Sequence, residues 1–268
     1  LPDSVDTSNF LRADVVIVSW AALETDMKSG MQRLAKKLIA ENVFTGDVYT
    51  QAIEQVSEIK PTAVSVSSFE ALKSALSKSS VKAITIDSIG TPMIIKGEVT
   101  IPADVTVTVN RGNDFYIEGT LTNNGTINVM GADSISPDFI NYSVLSVQSR
   151  GTLQNNGAIN LEASLLEDTG DYGPIGGQLR VNGGTLNNKG SVFLKYGLVN
   201  THGGMAVVID GTFNNDRLVI VDGFFLRVDK GSFVNNVSAI VINNTNIFAE
   251  GEGTFTNNGT LSGTAVQK

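Results

Sequence analysis

The chain has 268 residues, of which 41% are hydrophobic and 27 are glycines, a composition typical of a folded protein rich in turns. Its 19 basic and 27 acidic residues give a net charge of −8 with no basic cluster, which argues against nucleic acid or an anionic membrane as a partner. The absence of cysteine excludes disulfides, thiolate metal sites and a cysteine nucleophile.

Residues 1–60 predict a small helical unit. Apolar residues recur at helical spacing over residues 11–23, 31–39 and 49–59, and a serine, asparagine or aspartate can cap the start of each helix. The apolar runs fall far short of the roughly 20 residues that span a bilayer, so we predict no membrane span in this chain. Because the chain begins at Leu1 rather than at a methionine, we expect it to be a processed fragment.

Part of this unit resembles a known family. The LRAD at residues 11–14, the VVIVSWAAL that follows it, and the LAKKLI and NVF within residues 34–44 are similar to the closing part of an S-layer homology repeat of Gram-positive surface proteins. In that family, a Thr-Arg-Ala-Glu stretch opens a helix and contributes to binding of a secondary cell-wall polymer. The resemblance implies a cell-surface location and makes Arg12 and Asp14 candidate wall-binding residues, with Leu11 in place of the threonine.

Residues 61–81 predict a linker followed by a capping helix. Ser67 and Glu70 have the spacing of a capping box, and Phe69, Leu72 and Leu76 fall on one helical face. This helix is expected to cover the first core layer of the domain that follows.

The most prominent feature of the sequence is an internal repeat: a glycine, a threonine or serine, a leucine or phenylalanine, any residue, and then asparagine. Successive copies start 32, 33, 27, 20 and 22 residues apart, which fits a coil of about 20 residues with insertions at one corner. The copies are GTLTNNGTINVM (119–130), GTLQNNGAINLE (151–162), GTLNNKGSVFLK (184–195), GTFNNDRLVIVD (211–222), GSFVNNVSAIVI (231–242) and GTFTNNGTLSG (253–263).

Each copy alternates apolar and polar residues with a period of two, which predicts strands, and another short strand precedes most of the glycines. A single coil cannot bury its inward Leu121, Ile127 or Val129, whereas stacked coils share a core and pair their strand edges about 4.8 Å apart. We therefore predict a mainly β solenoid over residues 82–268. The coils resemble those of bacterial adhesins and pectin-lyase-like proteins over residues 82–263, which implies a right-handed parallel β-helix.

An asparagine pair recurs in every copy of the repeat. We expect these pairs to form a hydrogen-bonded ladder at one corner of the coils, where asparagine tolerates the left-handed backbone conformation. A sugar-binding row is the alternative interpretation. The pairs are Asn123 and Asn124, Asn155 and Asn156, Asn187 and Asn188, Asn214 and Asn215, Asn235 and Asn236, and Asn257 and Asn258.

Three insertions, residues 131–142, 163–177 and 197–204, fall at the same position in consecutive copies and should lie side by side. Loops on a rigid scaffold commonly carry function, so these segments are the candidate ligand-binding surface. Solvated acidic turns, a glycan or protein patch using Tyr142 and Tyr172, and a catalytic site remain open alternatives. The candidate residues are Asp133, Asp138, Tyr142, Glu167, Asp168, Asp171, Tyr172 and His202.

The sequence thus predicts a non-catalytic module of a secreted bacterial surface protein, a rigid rod that displays loops to a host glycan or protein. It predicts no metal and no cofactor, because neither paired carboxylates nor a calcium-type aspartate cluster recurs on the regular faces, even beside Arg180 and Arg227. One alternative is a polysaccharide lyase or glycoside hydrolase that uses Asp168, Asp171 and His202. The other is binding of cell-wall polymer through the N-terminal helices.

Overall fold

A computed structural model describes residues 34–41, 43, 45–48, 62–88, 90–132, 135–136, 139–140, 143–164, 176–195 and 203–268. The chain divides into two compact units, residues 1–62 and 63–268. In the first unit, helix α1 spans Leu34–Ala40. It overlaps the helix predicted over residues 31–39 and ends one residue later. The helices predicted over residues 11–23 and 49–59 lie outside the described residues.

The second unit is a parallel β-solenoid of about eight turns, which confirms the predicted fold class. Sheet 1 contains β1 (Thr62–Val66), β2 (Val81–Ile86), β5 (Thr106–Val109), β8 (Thr126–Val129), β13 (Ala158–Leu161), β16 (Ser191–Lys195), β19 (Leu218–Asp222), β22 (Ile240–Asn243) and β25 (Thr260–Gly263). Sheet 2 contains β3 (Met93–Ile95), β6 (Asp114–Ile117), β11 (Val144–Val147), β14 (Gln178–Asn182), β17 (Met205–Ile209), β20 (Phe225–Val228) and β23 (Ile247–Ala249). Sheet 3 contains β4 (Glu98–Ile101), β7 (Thr120–Asn123), β12 (Thr152–Asn155), β15 (Thr185–Asn188), β18 (Thr212–Asn215), β21 (Ser232–Asn235) and β24 (Thr254–Asn257).

Each coil gives one strand to each sheet, in the order sheet 2, sheet 3, sheet 1. The sequence had predicted at least two strands per coil, one of them just before most of the repeat glycines. The third arises because each repeat segment is divided into two strands, one in sheet 3 and one in sheet 1. We call the turn from sheet 2 to sheet 3 the glycine corner, the turn from sheet 3 to sheet 1 the asparagine corner, and the turn from sheet 1 to sheet 2 the insertion corner. A short antiparallel pair, β9 (Ile135–Ser136) and β10 (Phe139–Ile140), lies within the first insertion.

Strand alternation places one row of each sheet inside the coils. In sheet 3 this row runs in register from Val99 in β4 to Phe255 in β24, and its members from Leu121 to Phe233 are fully buried. Leucine gives way to phenylalanine along the row, and the ring centroids of Phe213 and Phe233 lie 4.6 Å apart. Burying each such side chain contributes roughly 1.5–3 kcal/mol, which a single coil could not achieve.

Helix α2 (Phe69–Leu76) covers the first coil and contacts β2, β3 and β4, one strand of each sheet. Its buried face carries Leu72 and Ala75, so a helix at this place, packed as the sequence predicts, is confirmed. The predicted capping box is wrong by one residue. The N-cap is Ser68, whose hydroxyl accepts a hydrogen bond from the Ala71 amide at 3.3 Å.

Strand β1 was not predicted, because residues 62–66 were assigned to the linker. The sequence TAVSV alternates as a strand should, but it has neither the glycine nor the asparagine by which the repeat was recognised. It adds an outer strand beside β2 and so extends sheet 1 ahead of residue 82.

Candidate functional site

The asparagine corner holds a continuous ladder of buried amides. The Nδ2 of each ladder asparagine donates to the Oδ1 of the next at 2.7 or 2.8 Å, always toward the C-terminal end. From Asn123 to Asn235, the second N–H of each amide donates to a backbone carbonyl where the next coil enters sheet 1, as from Asn155 to Ser191 at 3.1 Å. The members are Asn123, Asn155, Asn188, Asn215, Asn235 and Asn257.

This geometry confirms the predicted ladder but assigns it to one member of each pair. The ladder asparagines from Asn123 to Asn235 are fully buried, which leaves no amide on this row for a sugar. In two coils the pair is shifted, so that Asn187 and Asn214 lie on the outer face of sheet 3 and bond each other at 2.9 Å instead of standing at the corner. The ladder begins at Asn123, because Ile101 takes the equivalent position in the preceding coil.

The insertion corner is built differently. Each of the three long insertions is closed at its base by a backbone hydrogen bond: Ser143 donates to Met130 at 3.1 Å, Gly177 to Glu162 at 2.8 Å, and Gly204 to Lys195 at 3.0 Å. An ion pair of 2.7 Å between the Lys195 ammonium and the Glu162 carboxylate links the second base to the third.

The bases of the insertions lie side by side, because the strands before and after them are in register. Val129, Leu161 and Leu194 are neighbours in sheet 1, and β11, β14 and β17 are neighbours in sheet 2. Glycines fill the crowded positions: a Cβ on Gly203, for example, would lie 2.7 Å from the Gly223 Cα. The three insertions therefore leave the solenoid from one edge, as predicted.

The residues predicted for ligand binding are in the insertions themselves, and all of them lie outside the described residues. Their predicted clustering stays a prediction. The same holds for Arg12 and Asp14 in the first unit. The residues in the insertions are Asp133, Asp138, Tyr142, Glu167, Asp168, Asp171, Tyr172 and His202.

The outer face of sheet 2 adjoins this corner and is divided into a covered part and an open part. In β11, β14 and β17 several outward side chains are buried, among them Ser146, Gln178 and Met205, while Arg180 is half-buried. The Nε and Nη2 atoms of Arg180 both donate to Gln178 Oε1, at 3.1 and 2.7 Å. This arginine is therefore held against its own strand.

The face is open at both ends, since Ile94 on β3 and Tyr116 on β6 are half-buried. We call the C-terminal end, on β20 and β23, the open part, and here Phe225, Arg227 and Phe248 are half-buried. The Phe225 and Phe248 rings form an edge-to-face pair with centroids 6.2 Å apart, and the Arg227 guanidinium lies 5.9 Å from the Phe225 centroid. Arg227 Nε is also 2.7 Å from Asp229 Oδ1 in an ion pair. Aromatic and arginine side chains together form the kind of surface that proteins use for recognition.

One carboxyl on the described surface has a shifted pKa. At the asparagine corner of the first coil, the Lys82 ammonium donates a hydrogen bond to Asp104 and lowers the pKa of that carboxyl, against a smaller opposing effect of burial. Among the described residues, no group of three or more histidines and carboxylates could hold a metal ion. No helix in the described ranges has both the length and the apolar character needed to cross a membrane.

Comparison with protein-family models, with curated proteins and with solved structures finds no significant match to this chain. The resemblances to S-layer homology repeats and to pectin-lyase-like or adhesin coils therefore stay predictions. The solenoid itself rests on the strand pairing described above.

Sequence reasoning missed the aromatic end of sheet 2. Phe225 and Phe248 occupy outward strand positions in adjacent coils, and Phe224 fills a corner of only two residues. The signal was present in the alternation of residues 225–228, where the inward Leu226 and Val228 leave Phe225 and Arg227 facing outward.

Proposed function

We propose that this chain is a non-catalytic structural and adhesion module, a stiff β-solenoid that presents the insertion corner and the adjoining face of sheet 2 to a glycan or protein. The observation that carries the proposal is the contrast between its corners. The asparagine corner uses its buried amides within the scaffold, whereas the insertion corner adds chain that the scaffold does not need.

The stiffness of the scaffold supports this role. Hydrogen bonds between stacked amides polarise one another along a chain of donors and acceptors, and the parallel sheets pair every coil with its neighbours. Such a solenoid holds loops at fixed positions relative to one another. A binding surface built from several loops gains affinity from this arrangement, because less conformational entropy is lost when the ligand binds.

The proposed setting is the surface of a bacterium, where the ligand would be a host glycan, a host protein or a cell-wall polymer. It is motivated by the S-layer homology resemblance of residues 11–44 and by the net charge of −8, which disfavours nucleic acid. The lyase or hydrolase alternative depends on Asp168, Asp171 and His202, and the described residues add no acid–base pair to them.

The test is a pair of deletions that shorten two of the insertions to the length of the insertion corner of a later coil, residues 223–224. The register equates Lys195 with Asp222 and Met205 with Phe225, so deleting residues 196–202 leaves a two-residue corner like residues 223–224. Deleting residues 163–175 shortens the preceding coil to the same length, because Leu161 is paired with Leu194 and Gln178 with Met205.

The intact chain and the double-deletion variant are compared on glycan and protein arrays and in a reducing-sugar assay with soluble polysaccharides. We expect the intact chain to bind an array ligand without turnover, and the deletion variant to keep its circular dichroism spectrum but lose the ligand. Turnover of a polysaccharide together with no array ligand would overturn the proposal in favour of the enzyme.

A further inference from the structure

The open part of sheet 2 contains a cleft of about 460 Å³ at the insertion corner of the last coils. In these coils the corner consists of residues 223–224 and 244–246 only, so no long insertion precedes β20 or β23. The lining residues are Gly223, Phe224, Phe225, Thr245, Asn246 and Phe248.

The cleft combines aromatic rings with uncharged polar groups. Phe224 and Phe225 have centroids 4.6 Å apart at an interplanar angle of 53°, and Phe248 extends the cluster into the next coil. The Asn246 amide accepts from Gln267 Nε2 at 3.3 Å and carries two further donors on its own nitrogen. The Thr245 hydroxyl oxygen adds an acceptor. A few polar groups among aromatic walls are the usual make-up of a small-ligand site.

The charges around the cleft select against an anionic ligand. Arg227 is neutralised by Asp229, with a Nη2 to Oδ2 hydrogen bond of 3.0 Å besides the Nε contact. The adjoining cleft is lined by Lys230 but also by Glu250 and Glu252. With two cations against three carboxylates here and −8 over the whole chain, an acidic polymer would be repelled.

We infer that this cleft binds a neutral saccharide, whose apolar ring face lies on one of the perpendicular rings of Phe225 and Phe248 and contacts the edge of the other, and whose hydroxyls bond Asn246 and Thr245. Sugar rings pair an apolar face of C–H groups with hydroxyls at the rim, which matches the composition of the cleft. The inference rests on the proposed binding function and adds a second site to it, on the last coils and outside the long insertions, so the two deletions should leave binding at this cleft intact.

The test is affinity electrophoresis of the intact chain through gels containing soluble β-glucan, mannan or galactan, with polygalacturonate as the acidic comparison. The variants are Phe248→Ala and Phe225→Ala. The matched control is Phe193→Ala, which truncates an equally half-buried outward phenylalanine on β16 of sheet 1. Thermal unfolding of each variant, together with Phe248→Trp, separates loss of the ring from loss of the fold.

We expect retardation by at least one neutral polysaccharide, binding about tenfold weaker for Phe248→Ala and Phe225→Ala, and unchanged binding for Phe193→Ala and Phe248→Trp. Equal retardation of Phe248→Ala and the intact chain would overturn the location. Retardation by polygalacturonate alone, or by none of the polymers, would overturn the ligand class. Each of these failures leaves the proposed function standing if the deletion variant still loses its array ligand.

Discussion

The asparagine and glycine corners have two to four residues in every coil, whereas the insertion corner ranges from two to sixteen residues. At the glycine corner a glycine recurs in each coil from Gly97 to Gly253, and at the asparagine corner the amide ladder runs from Asn123 to Asn257. The insertion corner instead consists of residues 130–143, 162–177, 196–204, 223–224 and 244–246 in successive coils. Uniform corners are those that stacking constrains, and the variable corner is the one to which we assign the proposed function.

The largest effect is expected at the glycine corner. A methyl group on Gly151 would collide with the carbonyl oxygen of Ile117 in the coil below, and backbone cannot move aside without breaking the ladder of sheet 2. Gly151→Ala should lower the free energy of unfolding on the order of 4 kcal/mol, at the upper end of overpacking effects. Urea denaturation followed by circular dichroism measures it.

The control for this substitution is Gly97→Ala at the glycine corner of the first coil. An added Cβ there meets nothing within 4 Å, because no lower coil faces it. We expect a change below about 0.5 kcal/mol, as for most surface positions. Equal losses at both glycines would show that backbone conformation, and not stacking, sets the requirement for glycine.

The next effect separates the two asparagines of one pair. Asn188→Ala removes the acceptor for one N–H of Asn155 and the donor to both Asn215 Oδ1 and the Leu218 carbonyl, so three hydrogen bonds of the ladder are lost at once. We expect a loss of about 2–3 kcal/mol in the free energy of unfolding. Asn187→Ala, which removes only a bond on the outer face, should cost less than about 1 kcal/mol.

A loss from Asn187→Ala as large as that from Asn188→Ala would contradict the assignment of the ladder to the buried row. The same denaturation measurement serves both variants, since the two residues are adjacent in sequence and differ only in the direction of their side chains.

The solenoid could be predicted from the sequence because stacking leaves a periodic record. Each coil must repeat a glycine where a Cβ would collide with the neighbouring coil, and an asparagine where its amide bonds the amide of the next coil. The repeat in the sequence therefore indicates the stacked architecture directly. The repeat could not predict strand β1, which has neither the glycine nor the asparagine of the repeat, and it could not predict the N-cap at Ser68. These features depend on local contacts with the first coil and not on periodicity.

The candidate site was predictable only as a location. Register between equivalent strands implies that the insertions leave from one edge, and the bases at Glu162 and Lys195 confirm it. The open aromatic end of sheet 2 was missed because it results from the absence of an insertion before β20. Only the structure shows that the outer face changes there from buried residues such as Val207 to the half-buried Phe225.

The smallest effect concerns the first coil, where Ile101 replaces the ladder asparagine and the Lys82 to Asp104 pair is at the same corner. Because the pair lowers the pKa of Asp104 in the folded state, its contribution to stability is present above about pH 4 and is lost as the pH falls through the folded pKa. The side chains of Lys82 and Asp104 are 35% and 63% exposed, so the ion pair contributes at most about 0.5 kcal/mol to the free energy of unfolding.

Asp104→Asn should therefore lower the unfolding free energy slightly at pH 7 and not at pH 2. Urea denaturation at the two pH values measures the difference. A larger loss at pH 2 than at pH 7 would show that the asparagine corner of the first coil does not depend on this ion pair.

The most direct test compares binding after changes at the two kinds of corner. One variant lacks residues 163–175 and 196–202, and the other carries Asn156→Ala with Asn236→Ala, which removes exposed amides that bond Asn124 and Asp216 at the asparagine corner. With an array ligand of the intact chain as probe, we predict that the deletion variant loses binding at unchanged fold and that the asparagine variant binds as tightly as the intact chain. Binding kept by the deletion variant and lost by the asparagine variant would contradict the assignment of function to the insertion corner.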